Sequence, residues 1–188
     1  MNLDIFHFLN GLMHEYLVLD YLMVFLIRGS DIIVPGLLVA FFLFGFYRKR
    51  PAFRHVAIHA FCLMLSGLLI GRVIGLIVDK SRPLYAMESV NVLLTHSDNS
   101  SFPSNHTTFI FAAAFAFYFF HKRIGIALAV LGLFVGVAKV FMAHHFPIDI
   151  VMTIIYVAVL ATFYRLFLLD RVSRLYDYLE SKALSRFE

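Results

Sequence analysis

Two short polar segments interrupt an otherwise apolar chain, and their residue types suit work on an anion. The first, SFPSNH at residues 101–106, places serine, asparagine and histidine just ahead of an apolar run. The second, HHFPID at residues 144–149, contains two histidines and an aspartate. Cations accompany both segments, namely Lys80, Arg82 and Lys139. A metal shell needs several histidine, cysteine or carboxylate ligands, so this cation-rich set predicts an anion site without a metal.

The first segment predicts the start of a helix. Ser104 follows Pro103 and is a suitable N-cap, and the free N–H groups of a first turn bind phosphate well. His106 then lies in that first turn, where it could donate a proton to a leaving oxygen. An ordinary cap with a surface histidine fits the same residues, so the sequence alone leaves both interpretations open.

The second segment predicts another helix start, with Pro147 in the first turn. Asp149 lies in the same turn and can reach back, as in a capping box. It could then hydrogen-bond one nitrogen of His145 and leave the other nitrogen free as a nucleophile. The simpler alternative is that Asp149 only caps its helix. We interpret His144 as a spacer or a supporting residue.

Composition indicates that these segments belong to a membrane protein. The chain has 188 residues, of which 61% are hydrophobic and 15% charged, whereas a soluble domain is about half apolar and a quarter charged. Its apolar runs do not alternate as barrel strands do, and each is near the length of a transmembrane helix. We therefore predict an all-α, polytopic membrane helix bundle with five transmembrane helices, at residues 31–47, 55–78, 107–121, 124–142 and 147–169.

The chain forms one predicted domain, with an N-terminal part whose membrane topology the sequence leaves open. Residues 1–28 are interpreted as interfacial or short helices, residues 29–169 as the core, and residues 170–188 as an amphipathic helix on the cytoplasmic surface. We expect a six-helix core in which residues 17–28 form the shortest helix, short or re-entrant. A full sixth crossing by the N-terminal segment is the alternative.

Basic clusters predict the orientation of the bundle. They occupy the connection at residues 48–54, the connection at 122–123 and the segment after Arg165. Under the positive-inside rule these face the cytoplasm. The connections at 79–106 and 143–146, which carry both polar segments, then lie together on the outer side. The net charge of +4 is explained by these clusters, so no nucleic-acid partner is expected.

Two ion pairs are also expected within the apolar runs. Arg28 and Asp31 are about one helical turn apart, and buried ions usually pair. Arg72 is expected to pair with a carboxylate such as Asp31 or Asp79.

The order and spacing of these residues resemble the type 2 phosphatidic acid phosphatase superfamily. That pattern has a lysine, six residues and Arg-Pro; then Pro-Ser-any-His; then an arginine, five residues, a histidine, three residues and an aspartate. Between about residues 55 and 169 the chain has the matching Arg82-Pro83, Pro103-Ser104-Asn105-His106, His145 and Asp149. In its small size and in the sequences of both segments, the chain resembles the bacitracin-resistance type of undecaprenyl-diphosphate phosphatase.

Two positions depart from the pattern. Gly75 stands where the family pattern has a lysine. Bacitracin-type members also lack that lysine. Lys139 stands where the family pattern has an arginine. Lysine keeps the positive charge of arginine but loses its planar two-pronged contact. We expect reduced phosphoryl stabilisation from Lys139, and Lys80 is a candidate for supplying further charge.

The resemblance implies a metal-independent phosphatase. No cofactor is expected, and no obligate protein partner is inferred from the sequence. His145 would be the nucleophile that forms a phosphohistidine, Asp149 would orient it, and His106 would protonate the leaving group. The predicted phosphate-binding residues are Arg82, Ser104, Asn105, Lys139 and Lys80. The implied reaction is hydrolysis of undecaprenyl diphosphate, a lipid diphosphate, at the outer face of a bacterial plasma membrane. A broader lipid phosphatase and a catalytically weak lipid-phosphate binder or transporter remain alternatives.

Overall fold

The regular elements of the chain are helices throughout the part that the structure describes. A computed structural model describes residues 2–95 and 99–184, and within these ranges no strand forms, only an isolated bridge between Ser81 and Ser100. The all-α prediction is confirmed. In chain order the helices are α1 (Asn2–Gly11), α2 (Leu17–Tyr47), α3 (Pro51–Val78), α4 (Pro83–Ala86), α5 (Asn105–Phe120), α6 (Lys122–Phe141), α7 (Pro147–Phe163), a π-helical turn (Tyr164–Leu168) and α8 (Leu169–Leu184).

Several of these helices suit a bilayer, and the protein is a multi-pass membrane protein. By length and composition, four helical runs in the described ranges can cross a membrane: α2, α3, α6 and the continuous run Pro147–Ala183. Helix α5 has 16 residues, which is about 24 Å at 1.5 Å per residue and shorter than a hydrocarbon core of about 30 Å. The predicted count of five crossings therefore remains a prediction.

The predicted short helix at residues 17–28 is wrong as a separate element, because these residues continue into the predicted span 31–47. Together they form α2, a single helix of 31 residues and about 46 Å. A lone glycine such as Gly29 is tolerated inside a helix. The Ser30 hydroxyl donates to the Ile27 carbonyl at 2.7 Å, a back-bond that keeps serine within a helix. The short N-terminal helix is instead α1.

Helix α5 occupies the centre of the bundle and packs against α3, α6 and α7. Small residues allow the close approach. Ala112, Ala113, Ala114 and Ala116 on α5 are buried. On α6, a Cβ placed at Gly125 would lie 2.5 Å from the Tyr118 nitrogen. Small residues let helix backbones come close in membranes, and here they bring α6 close to α5.

The end of the bundle with the basic connections is held by contacts between α3 and α8. Arg54 Nε lies 2.8 Å from Glu180 Oε1, and His59 Nε2 lies 2.9 Å from Ser173 Oγ. A helix therefore does follow the last span, as expected for residues 170–188, although residues 185–188 lie outside the described ranges. Its placement on the cytoplasmic surface remains a prediction.

The opposite end of the bundle brings together the residues singled out in the sequence. The C-terminal ends of α3 and α6 meet the N-terminal ends of α5 and α7 there. Helix α1 stabilises this end through the buried Asn10, whose amide donates to the carbonyls of Asn91 and Phe141 at 2.9 and 2.8 Å. Asn91 N donates back to Asn10 Oδ1 at 2.9 Å. The long connection before α5 is thereby fixed next to α6.

Candidate active site

His145 is buried between α6 and α7 with its two ring nitrogens in different environments. Nδ1 lies 2.6 Å from the Ser101 carbonyl, which can only accept, so Nδ1 carries the proton. Nε2 lies 3.1 Å from Arg82 Nη1 and accepts from it. Burial, and next the Arg82 guanidinium, hold the pKa of His145 well below its usual 6.5. The ring is therefore neutral at physiological pH, and its Nε2 lone pair faces a cation.

Arg82 is placed by the start of α4 and by the backbone before α7. It is the N-cap residue of α4 and only 2% exposed. Its Nη1 also donates to the His144 carbonyl at 2.9 Å. His144 in turn donates from Nε2 to the Leu94 carbonyl at 2.7 Å, so it supports the loop, in line with the supporting role expected for it. The result is a guanidinium held at His145 Nε2.

Asp149 does not hydrogen-bond His145, and that part of the prediction is wrong. Its Oδ2 accepts from the Phe146 N–H at 3.0 Å and from the Ser101 hydroxyl at 2.6 Å, while Oδ1 accepts from Lys80 Nζ at 2.5 Å. The carboxylate is 3% exposed and fully occupied as a helix cap and ion-pair partner. Because Ser101 binds His145 through its carbonyl and Asp149 through its hydroxyl, Asp149 acts on the histidine through one intervening residue.

The start of α5 is built as the sequence predicts. Ser104 is the N-cap, and its Oγ accepts from the Thr107 N–H and hydroxyl at 3.5 and 3.0 Å. Its own N–H donates to Thr153 on α7 at 3.0 Å, and Thr153 donates to the Asp149 carbonyl at 2.6 Å. These bonds tie the N-terminus of α5 to the first turn of α7. Asn105 and His106 occupy the first turn of α5.

Lys139 is a buried cation without a direct partner. It is 2% exposed near the end of α6, and among the residues that the structure describes it has no hydrogen bond or ion pair. It lies near enough to His145 and Arg82 to interact with both electrostatically. A buried charge is costly unless it is paired, and Lys139 and Arg82 are both buried cations that act electrostatically on His145.

His106 contacts Asp31, which the sequence analysis assigned to a different partner. Its Nε2 lies 3.0 Å from Asp31 Oδ1, so the expected Arg28–Asp31 pair is wrong. Within the described ranges Arg72 also has no ion pair with either predicted carboxylate. Asp31 and His106 border a cavity of about 190 Å³ whose other lining residues are Leu68, Asn105 and Phe109.

The predicted residues fall into two linked groups. Hydrogen bonds connect Arg82 and His145 directly, and join Lys80, Asp149 and Ser104 to them through Ser101 and Thr153. His106 and Lys139 interact electrostatically with Arg82, and Asn105 borders the cavity beside His106. In the described part of the chain no three histidine, cysteine or carboxylate side chains form a potential metal shell.

Sequence reasoning missed Ser101 and Asp31. Ser101 lies within the segment at residues 101–106, but the group that orients His145 is its backbone carbonyl. Every residue has such a carbonyl, so the residue type gives no signal. Asp31 did give a signal, since an ionisable residue in an apolar span is usually functional. It was assigned to the nearest cation in the sequence. His106 lies 75 positions later, and only the fold shows that the two side chains are in contact.

Curated proteins of known name are similar in sequence to this chain. The chain is 31% identical over 192 aligned residues to undecaprenyl-diphosphatase BcrC of Bacillus subtilis (strain 168), covering 99% of this chain and 97% of the relative. It is 29% identical to the bacitracin transport permease protein BcrC of Bacillus licheniformis, covering 80% of this chain and 72% of the relative. It is 28% identical to the putative undecaprenyl-diphosphatase YbjG of Escherichia coli (strain K12), covering 79% and 73%.

Solved structures share the fold at lower identity. LpxE of Aquifex aeolicus superposes with a TM-score of 0.67 at 19% identity, covering 88% of this chain and 95% of that one. A transmembrane PAP2-type phosphatidylglycerolphosphate phosphatase of Bacillus subtilis gives 0.68 at 18%, covering 88% and 83%. The model of the PAP2 superfamily matches residues 55–173, the region that contains Arg82, Ser104, His106, His145 and Asp149. The chain therefore belongs to the PAP2 superfamily, and it is a lipid phosphatase of that family.

Proposed function

We propose that this protein hydrolyses undecaprenyl diphosphate to undecaprenyl phosphate through a phosphohistidine intermediate. A relative that is 31% identical bears the name undecaprenyl-diphosphatase and aligns over nearly the whole of both chains. The observation that carries the chemistry is His145, with a proton fixed on Nδ1 and a lone pair on Nε2 that faces Arg82.

The reaction begins with attack by His145 Nε2 on the terminal phosphorus. A P–N bond forms, the bond from phosphorus to the bridging oxygen breaks, and the proton of His106 passes to the departing lipid phosphate. Water then attacks the phosphohistidine and gives its proton to His106, which releases inorganic phosphate and restores both histidines. Positioning and charge stabilisation supply most of the catalysis in phosphoryl transfer.

Cations and amide groups hold the phosphoryl oxygens in this proposal. Arg82 and Lys139 supply positive charge beside the nucleophile, and Lys139 has no other direct partner in the described part of the chain. Ser104 Oγ accepts two hydrogen bonds and still has its own proton to donate. Asn105 and the free N–H groups of the first turn of α5 complete the set. Lys80 contributes through Asp149, which it neutralises.

Phosphate release from purified protein in detergent tests the reaction. Undecaprenyl diphosphate is compared with phosphatidate, phosphatidylglycerol phosphate and farnesyl diphosphate, with a chelator present throughout. We expect the highest kcat/KM on undecaprenyl diphosphate and no effect of the chelator. Equal rates on all lipids would support the broader lipid phosphatase instead. His145→Gln should lose turnover, whereas a mere lipid-phosphate binder would keep its cellular effect with this substitution.

The intermediate is tested separately from turnover. Substrate labelled with ³²P at the terminal phosphate is mixed with protein and quenched in base, because phosphohistidine survives base. Label should remain on wild-type protein and be absent from His145→Gln. A turnover-competent enzyme that never carries label would refute the covalent route while leaving the substrate assignment intact.

The active site is proposed to face the outer side of the plasma membrane. The basic connections lie at the end of the bundle away from His145, which supports this orientation under the positive-inside rule. In a Cys62→Ser background, Glu88→Cys and Lys122→Cys place single thiols at exposed positions of opposite ends. An impermeant maleimide should label the first in intact cells and the second only after lysis. The reverse pattern would refute the orientation, and with it a direct route to bacitracin resistance on overproduction.

A further inference from the structure

We propose that Asp31 on α2 is a positioning residue that holds the His106 imidazolium toward the cavity where the leaving group departs. This inference rests on the proposed function, because it concerns the acid of that reaction. Asp31 lies outside the matched family region at residues 55–173. Its place beside His106 is therefore a property of the fold of this chain.

The contact defines which nitrogen is available. His106 Nε2 lies 3.0 Å from Asp31 Oδ1, so Nε2–H donates to the carboxylate. Nδ1 has no hydrogen-bond partner in the described part of the chain, and it is the nitrogen left to protonate a substrate oxygen. A carboxylate on one ring nitrogen with the other directed to the reacting group is the arrangement that orients a catalytic histidine.

The cavity beside the pair gives the direction of departure. It has a volume of about 190 Å³, and its lining combines the ion pair with apolar side chains, Leu68 from α3 and Phe109 from α5. This composition suits the junction of a phosphate with a hydrocarbon chain. The proton on His106 would thus meet the lipid-side oxygen, while His145 and Arg82 hold the terminal phosphoryl group.

Asp31 is the counterion that His106 needs in a cationic site. The charged groups that face His106 are Asp31 on α2, Lys139 on α6 and Arg82 before α4. Burial, and next the two cations, lower the pKa of His106 below its usual 6.5, and Asp31 opposes this shift by favouring the imidazolium. With Asp31 neutralised, His106 would lose its proton at lower pH and would no longer be held by a charge-assisted hydrogen bond.

Two measurements on the full-length protein in detergent micelles test this inference. The first is NMR titration of ¹³C-labelled histidine rings, with the His106 signal identified by its loss in His106→Gln. The second is the pH dependence of kcat/KM for undecaprenyl diphosphate. Asp31→Asn preserves shape at a side chain that is 56% exposed, and Asp31→Ser is a second variant. Asp79→Asn is the matched control, because Asp79 is an exposed carboxylate at the same end of the bundle with a left-handed backbone that asparagine tolerates.

We expect both Asp31 variants to lower the titration midpoint of His106 by about one pH unit and to move the basic limb of the kcat/KM profile with it. At pH values above both midpoints this amounts to a loss of about tenfold, part of what a general acid contributes, and the loss should become small only below the midpoint of the variant, because the wild-type pKa already lies below its usual 6.5. Asp79→Asn should match wild type in both measurements. An unchanged midpoint, or a changed midpoint with an unchanged basic limb, would overturn the inference while wild-type turnover upholds the proposed function. A wild-type protein without phosphatase activity would refute the proposed function and the acid assignment together.

Discussion

Replacing Lys139 by methionine tests the anion site through two opposite effects, on activity and on stability. Lys139 is 2% exposed and has no hydrogen bond or ion pair within the described ranges. Methionine has a similar length and fills the same space without a charge. The substitution therefore removes the ammonium and little else.

The expected loss of activity follows from the charge. A unit charge 4 Å from a phosphoryl oxygen contributes about 4 kcal/mol at an effective dielectric constant of about 20. Removing one preorganised group of this kind costs about 10²–10³-fold in catalysis. We expect kcat/KM to fall by about that factor in Lys139→Met, and Lys139→Arg to retain or raise activity because the charge remains and a two-pronged contact becomes possible.

The expected change in stability has the opposite sign. Burying an ion without a close partner costs several kcal/mol, and replacement of buried ions by apolar residues is often stabilising. If about 1–2 kcal/mol is recovered, the thermal midpoint rises by about 2–8 °C. Inorganic phosphate should raise the midpoint of wild type more than that of Lys139→Met, because the variant keeps Arg82 but has one cation fewer to bind the anion.

Turnover in detergent and thermal unfolding of the same samples measure both effects. Lys122→Met is the matched control, since Lys122 is an exposed lysine at the other end of the same helix. The control should change neither quantity appreciably. If Lys139→Met were as active as wild type, Lys139 would not belong to the site. If it were both less active and less stable, Lys139 would be a structural cation, and its assignment to phosphate binding would fail.

Three further predictions follow from individual contacts. Because the folded pKa of His145 is lowered and its neutral form is the proposed nucleophile, kcat/KM should show no loss from this residue as the pH falls through 6.5. A pH profile with a nucleophile limb at or above 6.5 would contradict the lowered pKa. Ser101→Ala removes the hydroxyl that donates to Asp149 but keeps the carbonyl that orients His145. We therefore expect kcat/KM to fall by about tenfold. A complete loss of kcat/KM would show that Asp149 acts more directly in the reaction. Gly125→Ala should lower the thermal midpoint strongly, because its Cβ would overlap the backbone of α5. Gly36→Ala, whose Cβ would meet nothing within 4 Å, should be neutral or slightly stabilising by helix propensity. Equal midpoints for the two variants would refute the close packing of α5 and α6.

Local chemistry made the helix starts predictable from sequence. Ser104 caps α5 because a hydroxyl ahead of an apolar run satisfies a free N–H of the first turn. Asp149 lies in the first turn of α7 because Pro147 fixes where that helix begins. These rules involve residues within a few positions of each other, and the order of the basic connections then indicates which helix ends meet.

The contacts made across the bundle could not be predicted in the same way. Asp149 was expected to bind His145, four positions before it, but it binds Lys80, 69 positions away, and Ser101, 48 positions away. Asp31 was expected to bind Arg28 but binds His106. Sequence spacing predicts contacts between side chains on the same helix. The hydrogen bonds and ion pairs of this site instead join polar groups from different helices that meet at one end of the bundle.

The departure at Gly75 is explained by the segment that orients His145. A Cβ at Gly75 would lie 3.1 Å from the Phe102 carbonyl and 3.2 Å from Ser100 Oγ, so residues 100–102 occupy the space that a lysine side chain would need. The carbonyl of Ser101, between them, accepts from His145. Because Lys80 is committed to Asp149, the proposed mechanism takes its remaining positive charge for the phosphoryl group from Arg82 and Lys139. The glycine, the orienting carbonyl and the reliance on a buried lysine are therefore consequences of one local packing arrangement.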